Sequence, residues 1–198
     1  GIVWSVRPGR AASGVTISVF VRNSMRARLR PTVARVPDVL VRTFEESDIP
    51  AALALNNASV PDLNELDETA MRSLLSMADA ALVAEVDGRF AGFCWVMRPG
   101  QSYASENYVW FSQQYADFVY LDRITVMPDC RRLGVGRALY AHLTHQYAGV
   151  VPVLTCEVNL VPRNDNSLRF HAGLGFVEVG QQHTGGGAKQ VSLLALEL

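Results

Sequence analysis

Several things are scarce in this sequence, and each absence excludes something. No apolar run approaches the ~20 residues needed to cross a bilayer. The longest one near the N-terminus, Gly14 to Val21, is too short and has no small-residue cleavage site after it, so a signal peptide is not expected. There are three cysteines, Cys94, Cys130 and Cys156, far apart and without a Cys-x-x-Cys pair, which excludes a disulfide framework and a zinc ribbon. Reduced thiols in a cytoplasmic compartment are then the default. His142 and His145 lie one helical turn apart, but no third ligand accompanies them, so no metal is expected. The formal net charge is −1, which gives no argument for nucleic acid. Lysine is nearly missing: Lys189 stands alone against seventeen arginines, a bias that suits a GC-rich bacterial coding sequence.

What is present describes an ordinary globular chain. Apolar residues make up 49% of 198 residues and charged residues 19%, enough for one domain with a full core. Residues 1–37 carry seven arginines and no acid, while the remainder holds eleven basic and nineteen acidic residues. We take 1–37 as an Arg-rich extension, with a strand-like stretch at Val15 to Val21, and 38–198 as the domain.

Within the domain the hydrophobic periodicity alternates between two and 3.6. Val39 to Phe44 reads as a strand. A helix capped by Ser47 or Asp48 follows, with Pro50 in its first turn, and a second helix starts near Asp67. Ala81 to Val86 and Phe90 to Met97 are strands joined at Asp87-Gly88, a hairpin signal. Gly100 to Ala116 reads as a long connection rich in aromatics, and Tyr103, Tyr108, Trp110 and Phe111 are candidates either for a substrate wall or for a lid packed on the core. Phe118 to Met127 is apolar on both faces, as a central strand should be. A helix from Gly134, a strand Val151 to Val158, a short helix Asn164 to Gly173 and strands Phe176 to Gln181 and Gln190 to Leu198 complete the chain. The fold class is α/β, with a mixed sheet flanked by helices on both faces.

The stretch Tyr120 to Leu143 carries the first chemical signal. A strand ends at Pro128, and Arg131-x-x-Gly134-x-Gly136 opens a helix. Helix N-termini leave backbone N–H groups unpaired and concentrate positive potential. Glycines admit an anion closely, and Arg131, Arg132 and Arg137 add charge-assisted bonds, so the loop suits a pyrophosphate. A Walker loop would need Gly-Lys-Ser/Thr, and a dinucleotide fingerprint would need a third glycine where Leu139 stands.

This strand–Pro–x–x–Arg-x-x-Gly-x-Gly arrangement resembles the coenzyme A signature of the GNAT N-acetyltransferase superfamily. A second match follows it: Asn164 to Phe176 resembles the superfamily's Asn…Tyr-x-x-x-Gly-Phe segment. The resemblance spans about residues 38–198 and implies a single GNAT-type domain with a partly splayed sheet. It implies further that backbone groups at Ile124, Thr125 and Val126, beside a bulge, pair with pantetheine. Arg131, Arg132, Leu133, Gly134, Val135, Gly136 and Arg137 would surround the pyrophosphate, and Asn164 would hold the pantetheine arm from the other side. The activity implied is transfer of an acetyl group from acetyl-coenzyme A to a primary amine, on a small molecule or a peptide terminus, directly in a ternary complex. The partners implied are coenzyme A and an amine, with neither nucleic acid nor membrane, and with a homodimer left open. The alternative is a coenzyme A-binding sensor without catalysis.

An amine with a pKa near 10.4 must lose a proton before it attacks a thioester. A carboxylate can take that proton. Glu157, near the end of its strand, and Asp122, beside the expected bulge, are the two candidates. The superfamily often places tyrosine, the usual acid for the departing thiolate, where this chain has His171. Imidazole, with an ordinary pKa near 6.5, is a usable acid there, and a space-filling histidine hydrogen-bonded in the slot is the other reading of His171.

Overall fold

The structure, a computed structural model, describes residues 38–198. The proposed extension 1–37 and its strand-like stretch lie outside the described residues. Seven strands form one sheet in the order β1-β2-β3-β4-β5-β7-β6. They are β1 (Val39–Thr43), β2 (Ala80–Val86), β3 (Arg89–Met97), β4 (Val119–Val126), β5 (Val153–Val161), β6 (Val177–Thr184) and β7 (Lys189–Glu197). Five α-helices accompany them: α1 (Ile49–Asn57), α2 (Glu68–Met77), α3 (Glu106–Gln114), α4 (Val135–Tyr147) and α5 (Asp165–Ala172). Among the described residues, no helix is long and apolar enough to cross a membrane.

Local chemistry explains the element ends. Asp87 and Gly88 both have positive φ, 49° and 74°, which is the two-residue turn that matches strand twist in a β2–β3 hairpin. Asp67 caps α2 by accepting from the Ala70 N–H. Asp48 behaves differently from the expected cap. It closes a 3-10 turn by accepting from the Glu45 N–H, and it receives both terminal nitrogens of Arg42 at 2.7 and 2.8 Å.

The largest correction concerns residues 100–116. Part of that connection is the helix α3, capped by Ser105. The signal was present: Ser105 precedes Glu106, and Tyr108, Phe111 and Tyr115 recur at helical spacing. Tyr108 and Phe111 are buried in the core.

Two apolar clusters lie on opposite faces of the sheet. One joins α4 to Val119, Leu121, Leu154, Cys156 and Phe176. The other joins α1, α2 and α3 to Phe93, Trp95, Phe118, Tyr120 and Leu193. Apolar burial on both faces makes β3 a near-continuous hydrophobic run, and β4 is one up to Leu121.

The sheet's one parallel pair positions the site. β4 and β5 pair only at Val119↔Leu154 and Tyr120↔Thr155. Beyond these two contacts the strands separate, which is the expected splay. From Leu121 onward the β5-facing edge of β4 has no strand partner. On its other edge, the register with β3 jumps from Val96↔Leu121 to Trp95↔Arg123. Asp122 is therefore the extra residue of a bulge. The bulge also shifts the alternation: Val119 and Leu121 pack into the α4 cluster before it, and Ile124 and Val126 pack there after it. Asp122 and Arg123, consecutive in sequence, are both left to the α1–α3 face.

Candidate active site

The gap between β4 and β5 opens into a cavity of about 1510 Å³. Its walls include β4 from Leu121 to Val126, the start of α4, the face of α5 bearing Asn164, Ser167, Phe170 and His171, and Glu157 of β5. The α1–α2 loop, the start of α3 and the β6–β7 loop complete it.

The α4 end carries positive charge. Gly134, with φ of 92°, turns the chain into α4, and no side chain caps that helix. The first helical N–H groups are therefore left over for an anion. Arg131, Arg132 and Arg137 line the same end. Gly136 packs tightly against α5: a Cβ there would sit 3.0 Å from Cζ of Phe170, which would have to shift. Leu133 differs from the expected cradle. Its N–H donates to the Cys130 carbonyl at 3.4 Å, its side chain is 37% exposed, and it is not on the cavity wall. Asn164 accepts from the Ser167 N–H at 3.0 Å, so its amide NH2 is the group left to face the cavity.

The α1–α3 face carries carboxylates. Glu157 accepts from the Tyr120 hydroxyl at 3.1 and 2.9 Å. Burial, and then the nearby Asp122 charge, push the Glu157 carboxyl up to about 7. Hydrogen bonds from Tyr120 and Asn107, and the charge of Arg123, act in the opposite direction. Asp122 is occupied on all sides. It accepts from Trp95 Nε1 at 2.9 Å, the Tyr103 hydroxyl at 2.6 Å and Arg123 Nε at 2.8 Å. Arg123 also donates to Asn56 at 2.7 Å and lies over the Trp95 ring at 5.0 Å. Both members of the ion pair are buried, with side chains 3% and 5% exposed.

His171 sits on the opposite face, against the rings of Tyr140, Phe170 and Phe176. Its Nδ1 lies 2.7 Å from the Ser167 carbonyl, which can only accept, so Nδ1 carries the proton. Nε2 then accepts from the Tyr140 hydroxyl at 2.6 Å. Burial lowers the His171 pKa and favours this neutral form. Both ring nitrogens are engaged, and Nε2 has no proton to give.

The aromatic wall is only partly present. Tyr103 lines the cavity, whereas Tyr108, Trp110 and Phe111 do not. Tyr108 and Phe111 point into the core because they form the inner stripe of α3. Trp110 covers Gly180 of β6, where a Cβ would approach its ring to 2.7 Å. Sequence reasoning missed Tyr120 and Asn107. Tyr120 reads as one more apolar residue of a central strand, and Asn107 lay in a helix that was not recognised.

A family model described as acetyltransferase (GNAT) family matches residues 45–176. Among solved structures, the ribosomal-protein-S18-alanine N-acetyltransferase from Escherichia coli is similar at a TM-score of 0.62 and 22% identity, over 81% of this chain and 94% of that one. Ard1 from Thermoplasma volcanium is similar at a TM-score of 0.64 and 18% identity, over 81% and 97% of the two chains. NAA60 from Arabidopsis thaliana, in complex with a bisubstrate analogue, gives 0.63 and 16% identity, over 81% and 98%. Identities this low speak for the fold. No curated protein matches the chain.

Proposed function

From the premise that this chain belongs to the GNAT acetyltransferase family, we propose that it transfers an acetyl group from acetyl-coenzyme A to a primary amine, with Glu157 as the base. One observation carries this: the gap between β4 and β5 joins an arginine-lined helix start to a carboxylate buried on the other face. The residues fit the donor. Arg131, Arg132, Arg137 and the first N–H groups of α4 suit a pyrophosphate. The unpartnered edge of β4 at Ile124, Thr125 and Val126 suits a pantetheine arm that pairs as a strand would, with the Asn164 amide facing it. The thioester supplies the acyl group, and the protein's own task is to bind, orient and deprotonate.

Glu157 is favoured over Asp122 because it has capacity to accept a proton. Asp122 already accepts three hydrogen bonds, one from a buried guanidinium. A carboxylate whose pKa is raised to about 7 is half-ionised near neutral pH, where a general base works best. His171, held by Tyr140 and Ser167, fits a tie between α4 and α5 better than a proton donor. Direct transfer is supported by the cysteines: Cys94, Cys130 and Cys156 are all buried, and burial raises each thiol pKa, so none suits a covalent carrier. Those buried free thiols suit a reducing cytoplasm, and the arginine bias suits a bacterial source.

For the acceptor class, the similar structures include an enzyme of a ribosomal protein's alanine. A peptide N-terminus is therefore the first amine to test, with small-molecule amines beside it. The experiment is thiol release from acetyl-coenzyme A against a panel of both. Release with at least one amine, with kcat/KM rising through pH 7 as Glu157 ionises, is the expected result. Coenzyme A binding without release on any amine would instead favour a catalytically silent binding module.

A further inference from the structure

Three residues share one face of the splayed pair. β5 alternates so that Leu154, Cys156 and Val158 pack towards α4. Glu157 is thereby turned to the α1–α3 face. Tyr120 faces the same way, Asp122 two residues on shares its face by plain alternation, and the β4 bulge adds Arg123 beside it. Tyr120 donates to both oxygens of Glu157. Asp122 makes no hydrogen bond to Glu157 but lines the same cavity, as a buried charge matched by Arg123. We propose that Tyr120 and Asp122 are opposed positioning residues for Glu157: the Tyr120 hydroxyl holds the ionised carboxylate, and the Asp122 charge resists that ionisation.

The balance follows from the contacts. The Tyr120 hydroxyl can donate only one proton, and it is directed at Glu157, so the bond is strongest when Glu157 is charged. The low dielectric around a buried carboxylate makes a second negative charge costly. The other groups around Glu157 are Asn107 from α3 and the Arg123 guanidinium from β4, both of which favour its charge. Tyr103, which precedes α3, donates to Asp122. β7 contributes Leu193 opposite Glu157 and adds no charge there. In the step concerned, the acceptor ammonium loses a proton to a Glu157 oxygen. This leaves a neutral amine with its lone pair free and a neutral Glu157. A carboxylate held too firmly in its ionised form would be a weak base, and one held too firmly neutral would be absent at pH 7. The two residues set the compromise from opposite sides.

This inference rests on Glu157 being the base, and the test separates the two. Glu157→Gln should flatten the rising limb of kcat/KM against pH; a retained limb would remove the base assignment. With that limb lost in Glu157→Gln, Tyr120→Phe should move the wild-type limb up by about one pH unit. Asp122→Asn should move it down by a similar amount. Opposite shifts establish the opposed pair. No shift in Tyr120→Phe, or shifts of one sign in both variants, overturn it while leaving the base in place. If Asp122→Asn does not fold, the double variant Asp122→Asn with Arg123→Gln removes both buried charges and should give a smaller downward shift. An infrared titration of the Glu157 carboxyl, taken as the difference from Glu157→Gln without substrate, should follow the same order. It would exclude a change in rate-limiting step as the cause.

Discussion

The parts that suit the donor come in short runs, the β4 edge at 124–126 and the turn 131–137, with Asn164 beside them. On the α1–α3 face, the parts around Glu157 come one at a time: Asn56 from α1, Trp95 from β3, Tyr103 and Asn107 around the start of α3, and Tyr120, Asp122 and Arg123 from β4. The difference is physical. A pyrophosphate is held by the backbone of a single turn, so its site must be local in sequence. A base must be desolvated and tuned by neighbours from every side, so its site is assembled across the sheet.

The sharpest break between the faces should come from Glu157→Gln. We expect kcat/KM to fall by about 10²–10⁴ with coenzyme A affinity unchanged, measured by thiol release and calorimetry. A parallel loss of coenzyme A affinity would mean the faces are not separable. The same variant has a second signature. The carboxyl pKa is raised from 4.5 to about 7 in the folded chain, so the folded state is penalised once pH exceeds 4.5, and fully so above about 7. Glu157→Gln should therefore gain melting temperature over wild type at pH 8 and little at pH 4.5.

Phe111→Ala tests the reassigned aromatic segment. A fully buried core ring should cost about 3–5 kcal/mol in chemical denaturation. A change confined to acceptor KM, with stability intact, would restore the substrate wall. Arg131→Ala combined with Arg137→Ala should weaken coenzyme A by about 10–100-fold while kcat at saturating donor stays near wild type. This is the mirror image of Glu157→Gln. The smallest effect is expected from His171→Phe. It removes both hydrogen bonds of the imidazole, to the Tyr140 hydroxyl and the Ser167 carbonyl, and should cost about 1–3 kcal/mol of stability. Turnover at saturating donor should remain within a few-fold of wild type, and a loss beyond about 10²-fold would return His171 to the role of proton donor.

Much of the fold was legible in advance. The Asp87-Gly88 hairpin, the Asp67 cap and the glycine-led start of α4 are set by local preferences that hold in any surroundings. Helix α3 reads as a connection because its aromatics sit among polar residues, and only burial against Phe118 and Tyr120 shows them as core. Leu133 was counted in the cradle by adjacency, yet its N–H turns back to Cys130.

By itself, the sequence determined that β4 runs into a glycine-led, arginine-flanked helix start that suits an anion, and that Glu157 and Asp122 are carboxylates set in apolar strands. Only the tertiary structure gives the two carboxylates different surroundings. One extra residue in β4 brings Asp122 and Arg123 onto the same face, where the ion pair occupies Asp122. The early parting of β5 leaves Glu157 at the cavity wall with Tyr120 as its near partner. The reason is that a carboxylate's availability for a proton depends on which neighbours share its burial. Those neighbours are distant in sequence and meet only across the sheet.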